Sequence, residues 1–122
     1  MKKKKSSKSC LTIKQVQDWE KNFTRKKGIV LDENTSVRIA MCKLVEEVGE
    51  VAKALVEGRW DEVQAEVSDV IVFACKIANI AEEFHGVDNL ADVLERKMKY
   101  CETRTYDKKK TKFDKPKNEE FK

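Results

Sequence analysis

Apolar residues recur three and four positions apart along most of this chain, the spacing of one face of an α-helix. Val16, Trp19 and Phe23 mark a first helix over about residues 12–26 that ends at Gly28, and their stripe is expected to face the core. A loop through Leu31 leads to Asn34, Thr35 or Ser36, any of which can cap a second helix over about 36–57. Gly58 stops that helix and Trp60 lies in the short turn. Asp61 is the expected cap of a third helix that runs to about residue 84 before Gly86, and Asp88 the cap of a fourth over about 89–104. From Thr105 the chain is lysine-rich, contains Pro116 and is expected to be extended. No period-two alternation competes with this pattern, so the fold class is all-α.

Two segments break the rule that charges avoid apolar faces. LVEEVGE (44–50) sets Glu47 on the same helical face as Ala40, Leu44, Val51 and Ala54, with Glu50 at its edge. EVSDV (66–70) sets Glu66 with Val70, Phe73 and Ile77, and Asp69 on the flank. A turn at 58–60 makes the second and third helices antiparallel neighbours. Glu47 and Glu50 precede residue 59 by 12 and 9 positions; Glu66 and Asp69 follow it by 7 and 10. At ~1.5 Å per residue the pairs reach similar heights, so the four acids can converge. Converging carboxylates in a dry site must take up protons or hold cations. An all-oxygen set without histidine suits Mg²⁺ or Mn²⁺. A solvated acidic face is the competing reading, and the apolar setting of both pairs weighs against it.

Composition sharpens this picture. With 122 residues one domain is expected, small enough that pairing with a second copy would help cover its core. The expected organisation is a basic N-terminus without fixed structure (1–10), a helical domain (11–106) and a basic tail (107–122). Residues 32–95 carry 15 acids against 5 bases, whereas 96–117 carry 10 bases against 3 acids. An acidic centre points to cations, and basic ends to phosphates or nucleic acid. Cys10, Cys42, Cys75 and Cys101 show neither CxxC nor Cys/His spacing, which argues against a disulfide scaffold or a zinc site. No apolar run reaches the ~18 residues of a membrane helix. A soluble cytoplasmic protein with reduced thiols is expected. MKKKKSSK reads equally as a nuclear address, a nucleic-acid arm or a solvated start.

EEVGE followed by EVSD resembles the EExxE…ExxD signature of MazG-like nucleotide pyrophosphohydrolases. The likeness extends through LVEEVGEVAKAL, SDVIVFACKIAN and KMKYCETRTYDKKKTKF, covering roughly residues 36–113. The resemblance implies a four-helix core usually completed by a second subunit, here a homodimer or homotetramer. It also implies Mg²⁺-dependent hydrolysis of nucleoside triphosphates to the monophosphate and pyrophosphate. It assigns Glu47, Glu50, Glu66 and Asp69 as metal ligands, with Glu46 as a supporting carboxylate. It sets Lys97 and Arg104 on the phosphates, with Lys108–Lys110 and Lys112 as a basic flap. Cys101 departs from the asparagine that many relatives carry, and a thiol is a poor amide substitute.

Metal-activated water attacking the α-phosphorus is the chemistry such a centre supports. Lys43, one turn before Glu47, can neutralise it or reach a phosphate. Trp19, Phe23, Asn34, Trp60 and Asn79 are candidates to meet the base, each with a structural alternative as core, cap or turn plug. Glu82 and His85 form a single ExxH, but di-iron bundles need two, so no metal role is expected. A phosphoribosyl-ATP pyrophosphohydrolase shares the core and acidic motifs. A nucleic-acid-binding module is the non-enzymatic alternative, which lysine runs alone support weakly; nucleic acid is therefore not an expected partner.

Overall fold

The computed structural model describes residues 9–29, 32 and 34–114. The lysine run at the start, Leu31 of the first loop, and the tail beyond Asp114 with Pro116 lie outside them. Four helices follow in the expected order: α1 (Ile13–Lys26), α2 (Thr35–Val56), α3 (Trp60–His85) and α4 (Leu90–Glu102). Among the described residues the protein is all-α but for one short antiparallel hairpin, β1 (Tyr106–Asp107) with β2 (Lys112–Phe113). Among the described residues of the expected extended tail, the extended ones pair and turn back on each other. The chain forms two compact units, divided after Val87.

Three helix starts differ from expectation in which side chain does the capping. Asn34 occupies the cap position of α2 but makes no side-chain cap bond. Asp32 does that work: its carboxylate accepts the backbone N–H of Asn34, Thr35 and Ser36. These bonds, the one from Thr35 foremost, hold the Asp32 carboxyl below its ordinary range. Asp61 lies inside the first turn of α3, where a negative charge suits the helix dipole, and Arg59 takes the cap position. Asn89, not Asp88, caps α4 by accepting the Asp92 N–H. At α1 the Thr12 hydroxyl and Gln15 amide complete a reciprocal capping box.

In the first unit α2 packs on α3, and α1 packs on the other side of α3. The link from α2 to α3 is short because Gly58 adopts φ +68, a left-handed conformation suited to glycine. Arg59 ties the turn together by pairing with Glu57 and Glu62. Ala40 and Ala54 of α2 and Cys75 and Ile80 of α3 are the fully buried apolar residues described.

The orientation of α1 is the main correction to the sequence reading. Its aromatic stripe does not face the core: Trp19 and Phe23 are 52% and 42% exposed, stacked 5.0 Å apart. The buried positions are Gln17, Glu20 and Thr24. Gln17 and Glu20 meet Asn79 of α3, which is 1% exposed, and Thr24 meets Lys76. Gln17 Nε2 donates to Asn79 Oδ1 (2.9 Å) and Glu82 Oε2 (2.6 Å). Asn79 Nδ2 donates to the Gln17 carbonyl (3.0 Å) and Glu20 Oε1 (2.9 Å). Thr24 donates to Glu20, and Lys76 Nζ lies 3.4 Å from Thr24 and 3.9 Å from Glu20. Buried polar groups must be paired, and here each pairs across the helix interface. Hydrogen bonding therefore seats α1, and its apolar side is left outward.

Asn79→Ala should cost about 2–3 kcal/mol of unfolding free energy, because Glu20 and Gln17 lose buried partners. A urea titration would show a lower midpoint; an unchanged midpoint would remove Asn79 from this role.

Candidate metal centre

Antiparallel packing of α2 and α3 brings the two acidic motifs together. One carboxylate oxygen each from Glu47, Glu66 and Asp69 lies within 4.8 Å of the others. Glu47 and Glu66 are half-buried and Asp69 is exposed. Burial first, then hydrogen bonding to Glu66 and the charges of Asp69, Glu66 and Glu50, raises the Glu47 carboxyl above its ordinary value of 4.5.

Three of the four expected ligands are gathered. Glu50 is exposed and outside the trio, yet close enough for its charge to act on Glu47. Glu46 is also exposed and pairs with Lys43 at 3.0 Å. That bond, more than the charge of Glu47, holds the Lys43 ammonium above its ordinary range. Lys43 therefore neutralises Glu46 first and Glu47 only at a distance.

The donor set fits a hard divalent cation. Mg²⁺ holds oxygens at about 2.0–2.1 Å, which puts adjacent ligands about 3 Å apart. Carboxylates without histidine or thiolate select Mg²⁺ or Mn²⁺ over zinc.

The other expected site residues take varied positions. Trp19 lines an open groove of about 550 Å³ between α1 and α3, with Leu11, Val16, Ile71 and Val72. Phe23 lies under the Lys27 ammonium, 5.7 Å from its ring centre. Asn34 and Trp60 are exposed at the starts of α2 and α3. Asn79, a candidate for the base, is committed to holding α1 and has no exposed face to offer. Glu82 of the ExxH pair accepts a hydrogen bond from Gln17.

In the second unit Lys97 lies over the Tyr100 ring at 5.3 Å. Lys109 and Lys112 are exposed on the hairpin. Arg104, expected on a phosphate, is half-buried, and its guanidinium donates to the carbonyls of Phe113 and Asp114. The sequence reading missed Asp107, whose carboxylate accepts the N–H of Lys109 and Lys110 and shapes the lysine turn. Its signal was an Asp two residues before the turn's centre, a common turn-forming arrangement.

Two packed helices presenting carboxylates to one point make this a helical protein with a candidate all-oxygen metal site. A family model, the MazG nucleotide pyrophosphohydrolase domain, matches residues 36–107, and the chain belongs to that family. The match covers α2, α3 and α4 and leaves α1 outside. Family members are nucleoside triphosphate pyrophosphohydrolases, generally dependent on a divalent metal. No curated protein and no solved structure matches the chain. Among the described residues no helix is long and apolar enough to cross a membrane.

The raised Glu47 carboxyl fixes a sign. The folded state holds this proton more tightly than the unfolded chain does. That contribution is fully present below 4.5 and is lost as pH rises through the raised value. At neutral pH the metal-free cluster opposes folding. Glu47→Gln can still donate to Glu66 while removing a charge. In chelator at neutral pH it should melt higher than wild type, with the gain vanishing in acid, and it should bind Mn²⁺ more weakly. A lower melting point together with unchanged Mn²⁺ binding would contradict the assignment.

Proposed function

We propose that this protein hydrolyses nucleoside triphosphates, ribose or deoxyribose, to the monophosphate and pyrophosphate with Mg²⁺, clearing surplus or aberrant nucleotides. The observation that carries this reading is the convergence of Glu47, Glu66 and Asp69 from two packed helices. Family membership supports the reaction type.

Glu47, Glu66 and Asp69 would hold the cation, with Glu50 swinging in from its exposed position as a fourth ligand. A divalent cation bound there supplies Lewis acidity to phosphate oxygens and a more acidic water. Mn²⁺ offers the same coordination. Glu46, paired with Lys43, would be the supporting carboxylate that orients the attacking water. Water adds at the α-phosphorus, the α–β anhydride bond breaks, and pyrophosphate leaves. Lys97, Lys109 and Lys112 offer positive charge for the phosphates. Trp19, Phe23, Trp60 and Asn34 are exposed and available to a base, and the groove beside Trp19 has the apolar wall that a base requires.

A homo-oligomer belongs to the same proposal. Met41, Val45, Val48 and Leu55 leave large apolar side chains exposed along α2. Trp19 and Phe23 do so on α1. A single copy buries too little of this surface to be at ease in water. A cytoplasmic location suits four free thiols.

Pyrophosphate release measured over a panel of NTPs and dNTPs should require Mg²⁺ or Mn²⁺. Asp69→Asn and Glu66→Gln should each lower turnover by more than ~100-fold, since even outer-shell partners of a metal cost about 10–100-fold. Far-UV circular dichroism should stay helical in both. Metal-dependent turnover at the wild-type rate in both variants would sink the proposal.

A further inference from the structure

Two-residue strands do not hold a hairpin in water unaided, so something else must fix the turn that carries Lys108, Lys109, Lys110 and Lys112. Arg104 provides it. Its Nη2 donates to the Phe113 carbonyl at 3.1 Å and its Nε to the Asp114 carbonyl at 3.3 Å. Its guanidinium lies over the Phe113 ring at 5.6 Å, and Tyr106 meets the same ring edge-on at 5.1 Å. The Asp114 N–H donates to the Thr105 carbonyl at 2.8 Å, closing the base of the hairpin beside Arg104.

The tip is shaped with equal economy. Asp107 accepts two turn N–H groups and pairs with Lys110 at 3.7 Å. Thr111 takes φ +50, a left-handed conformation that a threonine adopts only when its surroundings enforce it. Four lysines within five residues repel one another, and an untethered chain would spread them. Arg104, Phe113, Tyr106 and Asp107 hold them instead on one short turn, with the ammonium groups in solvent.

We infer that Arg104 is a positioning residue: it acts on phosphates through the hairpin, by gathering the lysines of the turn into a preformed site for a polyphosphate chain. This rests on the reading of the protein as a triphosphate hydrolase. Preforming such a cluster removes the cost of ordering flexible side chains and backbone when the anion arrives. Phe113 becomes part of the same device although it carries no group that binds phosphate.

The test uses the full chain, inorganic tripolyphosphate with Mg²⁺ as probe, and the variants Arg104→Gln, Phe113→Ala and their double. Nuclear Overhauser contacts between the Tyr106 and Phe113 rings report the hairpin in wild type and Arg104→Gln. In Phe113→Ala the Asp114-to-Thr105 amide contact reports it. Each single variant should lose its hairpin contacts and bind tripolyphosphate roughly tenfold more weakly, and the double should bind no worse than either, as coupled residues do. Hairpin contacts retained in Arg104→Gln, or wild-type affinity in Phe113→Ala, would overturn the inference and leave Arg104 as a direct ligand or a bystander. A wild-type chain that binds no tripolyphosphate overturns the functional reading, and the hairpin's phosphate role with it.

Discussion

Carboxylates of like charge repel, and the packing of α2 on α3 forces three of them together. Glu47 sits on the same face as Ala40 and Ala54, which are buried, so the helices cannot bury those alanines without drawing Glu47 inward. Glu66 and Asp69 approach from α3 for the same reason. The conflict falls on Glu47, whose proton is held more tightly than usual. The nearby Lys43 pairs with Glu46 and acts on Glu47 only through its charge. On the proposed reading a divalent cation would resolve the conflict, because the like charges gathered at this point would become its ligands.

The remaining architecture keeps that pair of helices in register. Gly58 and Arg59 hold the turn short, so the two acidic motifs meet at one height. On the far side of α3 the Gln17–Asn79–Glu20 network locks α1. A hydrogen-bonded interface of this kind admits one register, because slipping by a residue would strand several buried polar groups. The consequence is that Trp19 and Phe23 of α1 remain outward.

The helices and the acidic centre were legible because both follow from periodicity. Apolar spacing located α1 to α4 to within a residue or two, and the same spacing revealed acids on the wrong face. The seating of α1 was not legible. Val16, Trp19 and Phe23 form a stripe as regular as any, and only the partners of Gln17 and Glu20, some sixty residues away, show that the polar face wins. Asn79 was misread for the same reason: a lone polar residue in an apolar helix can serve a ligand or a neighbour, and periodicity does not distinguish them. The hairpin was hidden because its strands are two residues long and the Arg104 bonds to the Phe113 and Asp114 carbonyls follow no sequence period. Asp32 and Asn89 captured helix N-termini one or two residues from the expected caps, a shift set by loop geometry.

The most direct test of the central claim is anomalous diffraction from crystals grown with Mn²⁺. The account predicts a manganese peak between α2 and α3 coordinated by Glu47, Glu66 and Asp69, at about the 2.0–2.1 Å typical of a small hard ion. These three side chains turned away from one another, with manganese bound elsewhere or nowhere, would contradict it.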